Sequence, residues 1–399
     1  MEFDVLCAAK ENAKIITRWR RNLHSIPETG LFLPRTASFV QSCLKEMDIP
    51  FRTYETHSGI SAVLGDPNGG KCVALRADMD ALPLQEQTGV PFRSCNENMH
   101  ACGHDAHTAM LLGAVKILKD YESNLKGCIK FIFQPGEETG EGAKSMIRDG
   151  ILEDPKVNIL IAMHVDRTAS ETVKQGDIII KRGPMHASND TFEITIIGRG
   201  GHGGYPHRSI DPTISAGLLI NALQSIVSRE VDPLASAVIS LGNLRTATVA
   251  HNIIPESVLL SGTIRCGKED VRRFIKQRLT EITKGICNAM RTECEVTIRC
   301  GEPSVENDDS VADIVENAAI KLFGSTQVHC VQEQVMGAED AGYYFQVVPG
   351  CLFRFCNPLP FSDGVIYPLH NSKMLLEDLS LYKGSALLVQ SALDYLGSP

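Results

Sequence analysis

The sequence predicts an α/β protein: a mostly parallel sheet with flanking helices, interrupted by an inserted α+β domain of ferredoxin-like order. Three observations carry this. Short apolar segments at 72–76, 128–133 and 159–164 alternate with helical segments, as strands buried on both faces do. Near Ala187 the rhythm changes, and 191–197 alternates like a half-exposed strand at the head of a β-α-β-β-α-β series. After about Cys300 the chain returns to helix, strand and helix. The expected domains are therefore 1–186 with 300–399, and an insertion at 187–299.

In chain order, residues 11–23 read as a helix because Ile15, Ile16, Trp19 and Leu23 recur at helical spacing. Residues 36–47 read as a second helix. The strand 72–76 runs into Arg76-Ala77-Asp78-Met79-Asp80, and a helix is expected over 106–121. The strand 128–133 ends in Gln134-Pro135-Gly136-Glu137-Glu138, followed by a helix over 143–149 and a strand over 159–164. In the insertion, a glycine-rich loop spans 198–204. Helices are expected over 212–229 and 268–290, with strands at 237–241, 258–265 and 293–299. Short and long helices at 341–346 and 376–395 complete the expectation.

The chemistry concentrates in Met99-His100-Ala101-Cys102-Gly103-His104-Asp105-Ala106-His107, where three of the chain's 12 histidines fall within eight positions beside a cysteine. Imidazole and thiolate are the usual ligands of zinc-like ions. Residues two apart share a side only in extended backbone, so Cys102-Gly103-His104 is expected on a loop, with Gly103 allowing a tight bend. Ligands in open α/β sheets bind outside the carboxyl ends of strands, where Asp78, Asp80, Glu137, Glu138 and His164 fall. In extended backbone Glu137 and Glu138 face opposite ways, so one can hold a metal while the other serves as general base. The same dipeptide also reads as a solvated acidic turn. His164 alone reads equally as a satisfied core or surface histidine, and His370 carries little signal by itself. His186 and His329 read as structural, and His251 is undecided.

Composition limits the alternatives. The 399 residues exceed one ordinary domain, and 43% apolar with 22% charged is a globular balance. A net charge of −9 argues against nucleic acid as a general partner. No run of eighteen apolar residues occurs, so no membrane span is expected. The start, Met1-Glu2-Phe3-Asp4, lacks a signal-peptide pattern, and 13 scattered cysteines fit reduced thiols in a cytoplasmic enzyme.

Six motifs in series resemble the amidohydrolase branch of the M20 metallopeptidases, which includes N-acyl-amino-acid amidohydrolases, hippurate hydrolases and auxin-conjugate hydrolases. They are Arg76-Ala77-Asp78-Met79-Asp80-Ala81-Leu82-Pro83, His100 to His107, Gln134 to Glu138, Gly200-Gly201-His202-Gly203-Gly204-Tyr205-Pro206-His207, Asn252-Ile253-Ile254-Pro255-Glu256 with Gly262-Thr263-Ile264-Arg265, and Pro368-Leu369-His370. The resemblance implies a zinc-peptidase-like catalytic domain with two divalent ions, Mn2+ or Zn2+, and a lid domain that makes a homodimer. It implies Cys102, His104, Glu138, His164 and His370 as metal ligands and Glu137 as general base. It further implies that His202 reaches the partner subunit's active site to bind the oxyanion, and that Asn252 and Arg265 hold the polar end of the substrate. Asp80 and Asp78 would orient a ligand histidine.

Blander readings stand beside these. His202 can be an incidental residue on a flexible tip, Asn252 and Arg265 can be turn and sheet-surface residues, and Glu339-Asp340 can simply open the helix at 341–346, the other reading being that it supports the metal ligands from behind. The chain departs from the family's habit at Asn371-Ser372 and at Arg245-Thr246-Ala247. The expected reaction is hydrolysis of the amide of an N-acyl amino acid, with a dipeptidase or carboxypeptidase of the same superfamily as the alternative. A zinc base deaminase is disfavoured, because that chemistry uses Pro-Cys-x-x-Cys and no Cys-x-x-Cys occurs here. A small-molecule substrate is expected, with no nucleic acid and no membrane partner.

Overall fold

A computed structural model describes residues 3–166 and 173–398. The chain forms two compact units: Met1–Gly183 with Glu306–Glu333 and Asp340–Pro399, and Pro184–Val305 with Gln334–Glu339.

The first unit is built on an eight-stranded sheet. Its order is Phe51–Thr53, Ile60–Gly65, Cys128–Gln134, Cys72–Asp78, Ile159–Asp166, Gly350–Cys356, Ile178–Ile180, Val328–Cys330. The four central strands run parallel, while Ile60–Gly65 and Ile178–Ile180 run antiparallel to their inner neighbours. The α/β class expected from the apolar runs is present. The three central strands expected from apolar runs are each longer than the run, because the polar residues at their ends, Asp78, Gln134 and Asp166, are buried too.

Helix His104–Lys119 is buried along almost its whole length and packs against helices Ala13–His24 and Tyr382–Gly397. An apolar surface all round is what a central helix needs. Three helical expectations shift. The helix expected over 11–23 is two helices, Val5–Glu11 and Ala13–His24. They part at Asn12, whose Nδ2 donates back to Ala8 O at 2.9 Å. The last helix begins at Tyr382 rather than 376. There the chain is spent on other bonds: Leu376 bridges Pro358, and the Glu377 carboxylate accepts the amides of Leu379 (2.6 Å) and Ser380 (2.9 Å). The helix expected over 341–346 is only Gly342–Phe345.

The second unit carries a four-stranded antiparallel sheet in the order Ala237–Thr246, Ser257–Cys266, Asp190–Ile197, Glu293–Cys300. With helices Pro212–Ser225 and Glu269–Ala289 the chain order is β-α-β-β-α-β, that of a ferredoxin-like unit. One face of the sheet meets the helices through Ile194, Ile196, Leu219, Leu223, Leu260, Ile264, Ile275 and Leu279. Strand Ala237–Thr246 outruns the expected 237–241 by continuing through a bulge between Leu241 and Asn243, and it forms one edge of the sheet. The helix expected over 212–229 changes at Ile226 into a π turn, Ile226–Glu230.

Candidate metal centre

Three parallel strands deliver side chains to one rim of the first unit. Cys72–Asp78 ends in Asp78 with Asp80 two residues on. Cys128–Gln134 leads to Glu137 and Glu138. Ile159–Asp166 carries His164, the one half-buried residue of that strand. The fourth contribution comes from the start of helix His104–Lys119. Gly103 precedes it at φ +89°, and a Cβ there would lie 2.4 Å from Val165 Cγ2 and 2.9 Å from Leu376 Cδ1. Only glycine meets both demands. His104 is thus the first helical residue rather than part of a loop, because the Gly103 carbonyl already accepts the amides of Ala106 and His107.

Six side chains meet at this rim. Cys102 Sγ lies 3.4 Å from His164 Nε2 and 3.3 Å from His370 Nε2. Glu138 Oε1 lies 3.5 Å from His370 Nε2 and 3.9 Å from His104 Nε2. Glu137 Oε2 is also 3.9 Å from His104 Nε2. Cys102, His104 and His164 form one group with metal-binding spacing, Cys102, Glu138 and His370 a second, and His104, Glu137 and Glu138 a third. His370 reaches the group from a left-handed backbone, φ +62°, with its amide held by Ala101 O at 2.8 Å.

Asp80 organises the acidic pair. Its Oδ1 accepts the amide of Glu137 at 3.0 Å and its Oδ2 that of Glu138 at 3.1 Å. The same carboxylate lies 3.5 Å from His104 Nδ1. Asp78 is 3.8 Å from that atom but 2.5 Å from His107 Nδ1, so its own partner is His107.

The residues fit divalent metal. His104 is fully buried, yet neither ring nitrogen makes a hydrogen bond, and Glu138 Oε1 is buried and unbonded as well. Such atoms are costly unless a cation takes them. His164 donates from Nδ1 to Val165 O at 2.7 Å, which leaves the Nε2 lone pair toward Cys102. The electrostatics agree. Burial pushes the Cys102 thiol well up and raises Glu138. Burial works against charge on His104, but Asp78, Cys102 and Asp80 overcome it and hold the imidazole well above its ordinary value. Without metal, protons gather where a cation would sit.

A second buried polar cluster lies behind the motif. His24 Nδ1 is 2.7 Å from Asp105 Oδ2, its Nε2 is 3.2 Å from Glu86 Oε1, and Arg20 Nε is 2.8 Å from Asp105. Asp105 directly follows His104, so this cluster fixes the first turn of the helix. Sequence reasoning missed His24, and missed Arg76, Gln134 and His107 as structural polar residues. The available signal was Arg76 itself, a charge inside an apolar strand. Asp340 does more than open a helix: it accepts from Arg76 Nη2 at 2.7 Å and from Gln134 Nε2.

The remaining candidates belong to the second unit. His202 is exposed on the short strand Gly201–His202, paired with Ile253–Ile254. Its Nδ1 accepts from the Gly204 amide at 2.9 Å, so in the neutral ring Nε2 carries the proton. Asn252 is exposed and its carbonyl accepts from Gly203 N at 2.9 Å. Arg265 lies on the central strand Ser257–Cys266 opposite Val238, with Nη1 buried and unbonded.

Residues 74–394 match peptidase family M20/M25/M40. The chain belongs to this family. It is 37% identical to an N-acetyl-L-cysteine deacetylase of Bacillus subtilis, over 95% of this chain and 88% of that one. It is 38% identical to a hippurate hydrolase of Campylobacter jejuni, over 94% and 95%. A Bacillus subtilis M20 peptidase described as binding a dinuclear metal superposes with a TM-score of 0.84 at 30% identity, covering 98% of this chain and all of the other. The M20 chain described here is a metal-binding hydrolase, and no helix among its described residues is long and apolar enough to cross a membrane.

Proposed function

We propose that this M20 hydrolase cleaves the amide of N-acyl amino acids, releasing a carboxylic acid and the free amino acid. The observation that carries the reading is the convergence of Cys102, His104, Glu138, His164 and His370 beside a second carboxylate, Glu137. Two divalent ions held by those five residues would supply Lewis acidity to the scissile carbonyl and to water. The thiolate and imidazole donors suit Zn2+, and Mn2+ is the other candidate.

Glu137 takes the proton of the attacking water and passes it to the nitrogen of the leaving amine. Its backbone is fixed by Asp80, so its carboxylate is delivered without a search. His202 offers Nε2–H to the developing oxyanion from a second copy of the chain. Arg265 suits the substrate carboxylate because its fork is bidentate and one nitrogen is buried and unbonded, and Asn252 adds a polar contact. Homodimer formation through the second unit is supported by Ile214 and Leu218, exposed one turn apart on helix Pro212–Ser225, and by strand Ala237–Thr246 at an edge of the sheet. The 13 free cysteines support a reducing, cytoplasmic setting.

The test is product analysis by mass spectrometry on a library of N-acyl amino acids, with matched dipeptides bearing a free α-amino group. The proposal expects hydrolysis of the blocked compounds. Preferential cleavage of the unblocked dipeptides would instead select the dipeptidase or carboxypeptidase reading.

A further inference from the structure

Ile159–Asp166, the strand that carries His164, loses a neighbour before it reaches the rim. Its pairing with Cys72–Asp78 ends at Arg76 and Ala162. On the other side, Gly350–Cys356 continues alongside to Asp166. Amides alternate between the two sides of a strand, and Leu160 N bonds Pro349 O on the Gly350–Cys356 side. Val165 N therefore points toward the side where the neighbour has ended. His107 fills that gap, since its Nε2 accepts the Val165 amide at 2.8 Å. The Val165 carbonyl in turn accepts from His164 Nδ1 at 2.7 Å. One residue thus has its amide fixed by one imidazole and its carbonyl by another, with the two rings 4.7 Å apart.

Because Nε2 of His107 accepts, it carries no proton, and Nδ1 bears the hydrogen directed at Asp78 Oδ1, 2.5 Å away. Asp78 Oδ2 accepts from Arg76 Nη1 at 2.8 Å. Arg76 continues to Asp340 through Nη2 at 2.7 Å and to Gln134 Oε1 through Nε at 2.9 Å. Gln134 Nε2 closes the loop on both oxygens of Asp340, whose Oδ2 also receives the Ala143 amide at 2.9 Å. Arg76, Asp78, His107, Gln134 and Asp340 are all fully buried.

We propose that Arg76, Asp78 and His107 form a positioning relay that holds the Val165 peptide, and through it the orientation of the His164 imidazole, in the geometry metal requires. Neither nitrogen of His107 is left for a metal, so its place in the motif is that of a strand substitute. This inference rests on His164 being a metal ligand. Groups that orient a ligand histidine alter metal affinity by roughly ten- to a hundredfold when lost.

Two substitutions separate the two bonds of His107. In His107→Asn the amide sits where Nδ1 was, keeping a donor for Asp78 and abandoning Val165. In His107→Gln the amide sits where Nε2 was, keeping an acceptor for Val165 and abandoning Asp78. Thr108→Val removes a neighbouring bond, from Oγ1 to Asp78 O at 2.8 Å, and serves as the folding control. Chelator-stripped proteins are titrated with Zn2+ for affinity and stoichiometry, and their metal-free melting temperatures are recorded. His107→Asn should bind Zn2+ roughly ten- to a hundredfold more weakly, with His107→Gln and Thr108→Val much nearer wild type. Wild-type affinity in His107→Asn overturns the relay, and so does a loss in all three that simply follows melting temperature. If His107→Asn does not fold, His107→Ala, which gives up both bonds, carries the same test and should loosen Zn2+ by roughly tenfold or more. Failure of the unaltered protein to take up Zn2+ or Mn2+ would instead overturn the metal reading beneath it.

Discussion

Asp105 Oδ2 lies 2.7 Å from Nδ1 of His24, and that contact anchors the residue directly after His104. It also makes stability depend on pH. Burial and Arg20 favour the neutral ring, but Asp105 and Glu86 outweigh them and raise His24 above its ordinary 6.5. A raised folded value means the stabilisation is full below about pH 6.5 and is lost as pH climbs through that folded value. Glu86 has the opposite sign. Burial would raise it, but bonds from His24, Thr88 and Ser94 lower it below its ordinary 4.5, so its contribution is lost only as pH falls through its folded value. The denaturation midpoint should therefore decline as pH rises above about 6.5, and His24→Gln should flatten that decline.

Glu137→Gln keeps size and leaves the backbone bond to Asp80 in place. Turnover should fall by roughly a hundredfold to ten-thousandfold, with KM little changed and metal content intact. Elemental analysis beside steady-state kinetics checks this. Equal loss of metal and activity would make Glu137 a ligand instead of a proton carrier.

Removing metal should lower the thermal midpoint, with the protein recovering in proportion to added ion. At free metal one hundred times the dissociation constant, the stabilisation is about 2.7 kcal/mol. Calorimetry across a series of Zn2+ and Mn2+ concentrations measures it, and a midpoint independent of ion concentration would contradict it.

Gly103→Ala asks the chain to hold φ +89° with a Cβ placed 2.4 Å from Val165 Cγ2. A left-handed non-glycine residue costs about 1–3 kcal/mol before any overlap is relieved. The variant should be less stable and should bind metal weakly, because Val165, Cys102 and His104 are the atoms that must move. Denaturant melts and metal titration report the two losses separately.

Arg272 is the buried cation of the second unit. Its Nε donates to Asp190 Oδ2 at 2.8 Å and its Nη2 to Gly301 O at 3.1 Å, while Asp190 is wholly buried. Arg272→Met leaves that carboxylate only the Gly301 amide at 3.1 Å and Lys276 Nζ at 3.7 Å and should cost about 3 kcal/mol, whereas replacing both partners with apolar residues should recover most of it. Urea denaturation of the single and double variants decides this.

Much of the first unit could be read from its residues because its central strands are continuous apolar runs. A run marks a buried strand whatever its neighbours are. What escaped depends on tertiary partners. Arg76 and Asp340 are 264 positions apart, and Gln134 and Asp340 are 206, so nothing local announces that they meet. His107 lies in plain view inside the motif, yet its task follows from where a neighbouring strand stops pairing. The last helix begins six residues later than expected because the Glu377 carboxylate accepts the amides of Leu379 and Ser380 in a turn. At the rim, Cys102, His104, Glu137 and Glu138 are conspicuous as residue types, while His164 and His370 are weak signals alone and are picked out by the end of a strand and by the family motifs.

Among the described residues, strand Ala237–Thr246 has no ladder partner along its outer side, and its Val238 and Leu244 are open to water. Unpaired strand edges are templates for pairing with another extended chain. A solitary copy is thus exposed to adventitious β-addition, and dilution should make preparations stickier rather than cleaner if self-association is what shields that edge.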